Sequence, residues 1–303
     1  MTAPTEGRAL FDGSSMAASA VLAEISSRLA SGMKDNRMDS PARDARLLLA
    51  LALGREDPVL PHETITLTPS ARSRLELFVG RRLAGEPLSR MRGWREFYSL
   101  KFGLNSATLD PRPDSECLID RALAWFETHP IPAPSILDFG TGTGCLLLSV
   151  LNNIPQAHGT GVDLAPDAIR QATANAEELG LGERARFLVS NWDKDLAGKF
   201  FMILANPPYI LKGDLSGLMA EVKGHDPVLA LDGGEDGFDA WREIMPAIAR
   251  RLEKDGRAFV EIGQGQEEVV AALARDAGLN PVDQTTDLGG VIRCLELAHP
   301  GLS

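Results

Sequence analysis

Four consecutive residues, Asn206-Pro207-Pro208-Tyr209, carry the most specific chemistry in the chain. They follow an apolar run, Phe200-Phe201-Met202-Ile203-Leu204-Ala205, with the length and character of a buried parallel strand. A polar Asn and two prolines stop that strand abruptly. Each proline lacks an N–H and holds φ near about −65°, so the carbonyls there are rigid acceptors with no donor of their own alongside. A planar NH₂ group suits such a place. It donates to the Asn206 side-chain oxygen and to the Pro207 carbonyl, with Pro208 in the same rigid turn and Tyr209 covering one face. The matching nitrogen has a delocalised lone pair, as in a carboxamide, an adenine or a cytosine. It becomes a nucleophile only when its hydrogen-bond partners favour a pyramidal geometry. Asn206, Pro207 and Tyr209 are therefore the candidate catalytic residues, and the whole tetrapeptide is the candidate substrate site. The plain structural alternative is a Pro-Pro loop that merely ends a strand.

A second group of residues reads as a nucleoside site. The strand Ser135-Ile136-Leu137-Asp138-Phe139 runs directly into Gly140-Thr141-Gly142-Thr143-Gly144, and a helix over 145–151 follows. Glycines let a ligand approach the backbone, and a helix start offers free N–H groups. The glycines alternate, unlike the G-x-G-x-x-G of dinucleotide folds, and no Lys-Ser/Thr ending marks a phosphate-cradling loop. Asp138, two residues before the first glycine, is placed to hold the ammonium of an amino-acid moiety. A second strand over 159–163 ends at Asp163, where an acid pairs with ribose hydroxyls. A third, over 186–189, ends at Ser190-Asn191-Trp192, an amide and an aromatic suited to adenine. Together the three loops describe a nucleoside that carries an amino acid, and S-adenosylmethionine answers that description. Asn206 lies at the next strand end and joins the same cofactor set.

Between these and the N-terminal region lies Asp110-Pro111-Arg112-Pro113-Asp114-Ser115-Glu116. Two prolines make it stiff and extended. It reads either as the start of a helix over 117–126, capped by Asp114, or as a lid in which Arg112 and Glu116 orient a ligand.

The elements that must position these groups come in two kinds. Residues 16–30, 41–53 and 69–84 show helical periods, and Ser40-Pro41 and Thr68-Pro69 are start signals for the latter two. This predicts a small helical bundle over 1–90, locally basic through Arg72, Arg74, Arg81, Arg82, Arg90, Arg92 and Arg95. That basicity is either a solvated helix face or a docking surface for an acidic partner. Residues 91–109 alternate by two (Trp94, Phe97, Tyr98, Leu100, Phe102, Leu104), with Gly103 and Asn105 as the turn, and predict a β-hairpin connector. From 110 to 303 strands and helices alternate, with a Gly-rich turn at Asp232-Gly233-Gly234, which argues for an α/β domain with a mostly parallel sheet. Ligands in such sheets bind beyond the carboxyl ends of the strands, and every loop named above follows a strand end.

Composition restricts the classes. With 303 residues the chain has room for two domains. Its net charge of −11 opposes tight nonspecific binding to nucleic acid, which depends on neutralising phosphates. No apolar run is long enough to span a membrane, and residues 1–13 lack the apolar core of a signal peptide. Cys117, Cys145 and Cys294 are odd in number and far apart, so neither a disulfide framework nor a metal site is expected. A reducing cytoplasm fits that usage.

Six motifs in order carry a resemblance that covers residues 20–298. They are Gly85-Glu86-Pro87, Arg95-Glu96-Phe97, Pro111-Arg112-Pro113-Asp114-Ser115-Glu116, residues 137–144, Asn206-Pro207-Pro208-Tyr209 and Ala230-Leu231-Asp232-Gly233-Gly234. The chain resembles the release-factor glutamine methyltransferases of the HemK/PrmC type. The resemblance implies a class I S-adenosylmethionine-dependent methyltransferase fold, seven-stranded and Rossmann-like with its last strand antiparallel, behind a substrate-docking helical domain. It implies methyl transfer to the side-chain amide of the glutamine in the Gly-Gly-Gln motif of peptide-chain release factors. It assigns residues 140–144, Asp163 and Trp192 to cofactor and residues 206–209 to the glutamine. The chain departs from the family at Asp110, where an apolar residue is usual, at Asn191, where an acid is commoner, and over 288–292. The rival readings are a ribosomal-protein glutamine methyltransferase, a DNA or RNA amino-methyltransferase that extrudes its base, and a non-catalytic adaptor. Neither membrane nor nucleic acid is expected as a partner.

Overall fold

The computed structural model describes residues 15–32 and 40–301, so the signal-peptide reading of 1–13 lies outside the described residues. The chain divides into two compact units between Arg92 and Gly93.

The first unit packs helices α1 (Ala18–Gly32), α2 (Pro41–Leu53), α3 (Pro69–Leu83) and the short α4 (Leu88–Arg92). Ser40 and Thr68 accept from the N–H groups of Arg43 and Ala71, each at 3.2 Å, with proline at the first helical position behind each cap. A cap of this kind contributes about 1 kcal/mol. Gly54 ends α2 at φ 73°. Val21, Leu22, Ile25 and Leu29 meet Leu48, Leu49, Leu75 and Val79 in the core. Two strands of three residues, β1 (Ser15–Ala17) and β2 (Thr64–Thr66), pair antiparallel. The expected bundle lacked them because three residues are too few to show a period. Several arginines read as a docking face are engaged within the unit: Arg82 with buried Asp44 at 2.8 Å, Arg81 with Glu86, and Arg74 with the Ala52 carbonyl.

The second unit opens with the hairpin β3 (Trp94–Phe97) and β4 (Leu100–Gly103). Its turn is Tyr98-Ser99, not Gly103-Asn105. Both turn residues have positive φ, 49° and 60°, the backbone that matches strand twist in a two-residue loop. Gly103 and Asn105 instead anchor the hairpin. Asn175 of α7 (Pro166–Glu178) accepts from the Gly103 N–H at 2.8 Å and donates to the Gly103 and Thr143 carbonyls.

The main sheet has the order β10-β11-β9-β8-β5-β6-β7. Its strands are β5 (Ser135–Phe139), β6 (His158–Asp163), β7 (Ala185–Val189), β8 (Phe200–Ala205), β9 (Leu252–Glu261), β10 (Asn280–Thr286) and β11 (Ile292–Ala298). The strands β5 to β9 pair parallel, and β11 runs antiparallel between β9 and β10. This is the seven-stranded order, with its last strand antiparallel, that the resemblance implies. Helices α5 (Glu116–Thr128), α6 (Cys145–Asn153), α7, the one-turn α8 (Ala220–Lys223), α9 (Asp239–Arg251) and α10 (Glu267–Asp276) complete the unit. All six residues of β8 are buried, as expected of a central strand covered on both faces. The edge strand β10 has no forerunner in the sequence reading, because Asn280, Asp283, Gln284 and Thr286 leave it without an apolar run. Asp114 does not cap α5. It lies in a 3₁₀ turn (Pro113–Ser115), and Ser115 precedes the helix without a side-chain cap bond. No helix among the described residues is long and apolar enough to cross a membrane.

Candidate active site

One cavity of about 370 Å³ opens at the carboxyl ends of β5, β6, β7 and β8. Gly140, Thr141, Gly142 and Thr143 line it from β5, Asp163 from β6, Asn191 and Trp192 from β7, and Asn206 and Pro208 from β8. Pro111, Arg112 and Ser115 line it from the proline-rich segment. The volume falls in the range of small-molecule sites.

The glycine loop is shaped by backbone. Gly140, Gly142 and Gly144 have φ of 67°, 54° and 81°, a region that side chains with a Cβ disfavour. Thr141 N–H donates to the Val162 carbonyl at 2.9 Å, which pins the loop to β6. Gly144 lies at the α6 N-terminus, and a Cβ there would approach Leu148 and Phe187 at 3.1 and 3.3 Å. Asp138 is fully buried and sits behind the cavity wall. Its Oδ2 accepts from Thr141 Oγ1 at 2.6 Å, the Leu147 N–H at the start of α6 also favours its charged form, and its Oδ1 has no hydrogen-bond partner among the described residues. Burial, reinforced by the nearby Asp163 charge, pushes its carboxyl up to about 7. A buried acceptor without a donor is costly, and a cationic or N–H group of a ligand answers that cost. Asp163 uses one oxygen to accept from Gly142 N–H and the other from Ala165 N–H, both at 2.9 Å. Each oxygen retains a second lone pair.

The third loop is strained. Trp192 has φ 52°, a conformation a bulky residue holds only when its surroundings impose it. Ser190 Oγ donates to the Trp192 carbonyl at 2.9 Å, Trp192 Nε1 donates to Glu243 at 2.8 Å, and the indole packs edge-on against Phe139. Asp193 anchors the loop to α9 through Arg250 and Arg251, and the hydrogen bond from Arg250 is the main reason its carboxyl lies below the ordinary range.

The tetrapeptide after β8 divides its labour. Asn206 and Pro208 face the cavity, and Asn206 Nδ2 donates to Ser115 Oγ at 3.4 Å. Pro207 is buried outside the cavity lining. Tyr209 is not among the residues that line the cavity. Its hydroxyl donates to Glu261 Oε1 at 3.3 Å, and its carbonyl accepts from Gln266 Nε2 at 3.1 Å. The Gly-rich turn holds this loop in place. Ile210 N–H donates to Leu231 O at 3.0 Å, and Gly233 N–H returns to Ile210 O at 2.8 Å. A Cβ on Gly233 would lie 2.8 Å from the Tyr209 backbone, so this glycine is required by close approach.

The two lid candidates separate. Arg112 lines the cavity and pairs with Asp226, whose N–H-accepting Oδ1 also holds the Asp110 backbone at 3.2 Å. Glu116 is drawn away, accepting from the Tyr98 N–H at 2.9 Å in the hairpin turn. Asp110, the departure from the family pattern, is buried and accommodated by Arg95 at 3.5 Å. Sequence reasoning missed Ser115, Asp226, Glu261 and Gln266 as supports. Their partners are distant in the chain, and only Ser115 lay inside a motif. Among the described residues no cluster of His, Cys, Asp or Glu is placed for a metal ion, and the three cysteines are free thiols.

Comparisons with known proteins converge. The family model described as "Methyltransferase small domain" matches residues 121–221, and "PrmC N-terminal domain" matches residues 20–93. The release factor glutamine methyltransferase of Bradyrhizobium diazoefficiens is 42% identical over 88% of this chain and 91% of its own. That of Rhodospirillum rubrum is 42% identical over 91% of this chain and 84% of its own. That of Moorella thermoacetica is 37% identical over 90% and 95%.

Proposed function

The chain belongs to the release factor glutamine methyltransferase family, and on that premise we propose that it methylates the side-chain amide nitrogen of the glutamine in the Gly-Gly-Gln motif of peptide-chain release factors, with S-adenosylmethionine as methyl donor. The observation that carries this reading is the shared cavity, into which both the glycine loop and Asn206 open. When bound, S-adenosylmethionine supplies an electrophilic methyl group on a sulfonium. The chain's own residues do the rest. The unpartnered Asp138 oxygen suits its ammonium, the spare lone pairs of Asp163 suit ribose hydroxyls, and Asn191 and Trp192 suit adenine.

Asn206 Oδ1, in the cavity lining, accepts one hydrogen of the substrate NH₂, and the motif offers the adjacent Pro207 carbonyl, outside the present lining, for the other, which returns lone-pair density to the nitrogen. Pro208, Leu229 and Ala230 supply apolar wall around that nitrogen. The work is positioning and electrostatic preorganisation. Arg112, held by Asp226, fixes the proline-rich segment at the cavity. We assign docking of the protein substrate to the helical unit, in keeping with the N-terminal family match.

Incubation with methyl-labelled S-adenosylmethionine tests the proposal. A release factor should take the label, while the same factor with its Gly-Gly-Gln glutamine changed, ribosomal proteins and DNA should not. Label retained on the altered factor, or taken up by ribosomal protein or DNA in preference, refutes it.

A further inference from the structure

A carboxamide has nearly the same shape in either orientation but the opposite hydrogen-bond character. Asn206 serves a substrate NH₂ only if its oxygen, not its nitrogen, is turned toward it. In the structure Asn206 Nδ2 donates to Ser115 Oγ, and this leaves Oδ1 for the substrate. Ser115 is buried, 3% exposed, at the end of the 3₁₀ turn before α5. A hydroxyl that accepts from Asn206 still has one proton to donate. The carboxyl of Glu261, at the end of β9, is 2% exposed, and the Ser115 hydroxyl is among the groups that lower it, so the two are electrostatic neighbours. Its Oε1 receives Tyr209, and its Oε2 has no hydrogen-bond partner among the described residues.

We propose that Glu261 and Ser115 are positioning residues that set the polarity of Asn206: the carboxylate takes the Ser115 proton, Ser115 therefore accepts from Nδ2, and Oδ1 is presented to the substrate amide. This rests on Asn206 being the acceptor for the substrate, as read above. A carboxylate can only accept, so the chain of bonds runs one way. A protonated Glu261 can donate to Ser115, which then donates to Asn206, and the flipped amide meets the substrate NH₂ with its own NH₂. The groups facing Glu261 are Ser115 and Asp114 before α5, Tyr209 after β8, Arg293 of β11, and the thiols of Cys117, Cys145 and Cys294. Burial outweighs the Ser115 contact and the Arg293 charge and pushes Glu261 up to about 7, so both states are within reach of experiment.

Single-turnover methyl transfer to a release factor is measured at saturating S-adenosylmethionine across pH 6–9, with cofactor affinity taken separately by calorimetry. The variants are Ser115→Ala, Ser115→Thr, Glu261→Gln, the Ser115→Ala/Glu261→Gln pair, and Asn206→Ala. Wild type should speed up as pH rises through about 7. Ser115→Ala and Glu261→Gln should each lose about 10- to 100-fold in rate, roughly a tenth of the loss expected when a preorganised group itself is removed, with cofactor affinity unchanged. Ser115→Thr should restore the rate, Glu261→Gln should have lost the rise with pH, and the pair should be no slower than its slower member. Rates within twofold of wild type for both single variants, a pH rise that survives Glu261→Gln, or additive losses overturn the proposal. If Glu261→Gln does not fold, the Ala and Thr variants of Ser115 decide alone. Asn206→Ala separates the layers: a wild-type rate there refutes the reading of Asn206, whereas its loss beside unaffected Ser115→Ala and Glu261→Gln refutes only the positioning role.

Discussion

The ends of β5 and β8 are neighbours in the sheet and open into the same cavity, yet they are built by different means. At the end of β5 the backbone does the shaping. Three glycines with positive φ, a helix start and a threonine N–H tied to β6 set the course of the cavity wall there. At the end of β8 the backbone is rigid but featureless, and side chains from other elements decide what it presents. Ser115 touches Asn206, Glu261 and Gln266 hold Tyr209, and the Gly233 turn clamps Ile210. A surface made of backbone suits a ligand held in one fixed form. A reacting group needs its orientation set by hydrogen bonds that have a direction.

That contrast predicts separable losses. The largest belongs to the β8 end: Asn206→Ala should slow single-turnover methyl transfer by about 100- to 1,000-fold, as for loss of one preorganised polar group, while calorimetry finds a far smaller loss of cofactor affinity. Equal losses in both would erase the distinction. Next comes the pH response of the β5 end. Asp138, raised to about 7 by burial, is neutral below that pH and ionised above it. A cationic ligand group binds the ionised form, so cofactor affinity should fall about tenfold for each pH unit below 7 and level off above it, in line with the free energy of one pKa unit. Asp138→Asn should abolish the slope, and a slope that persists would place the proton elsewhere. Trp192→Ala should weaken cofactor binding by about tenfold through lost aromatic contact, with the rate at saturation preserved. Smallest is Glu243→Gln, which keeps an acceptor for Trp192 Nε1 and should alter affinity by no more than about twofold, the scale of an exchange between similar hydrogen bonds.

What could be read along the chain follows the range of the forces. Ser40-Pro41 and Thr68-Pro69 announce helix starts because a cap bonds three residues onward. The buried β8 announces itself because burial on both faces leaves an unbroken apolar run. The loops that line the cavity were legible as short motifs, each directly after a strand. The turn of the hairpin was misplaced because neither Tyr98 nor Ser99 favours positive φ by type, and the strand pairing forces it on both. Tyr209 belongs to the motif that reads as the substrate site, but its hydroxyl's partner, Glu261, lies 52 positions away and is not legible from the motif.

The order of residues by itself determined the chemical inventory: rigid acceptors after one strand, glycines after another, an acid at the end of a third, and an amide with an aromatic after a fourth. Tertiary structure alone decided their bearings. Arg112 meets Asp226 across 114 positions and Asn206 meets Ser115 across 91, and hydrogen bonds that reach only about 3 Å leave no trace in sequence until the sheet brings their partners together.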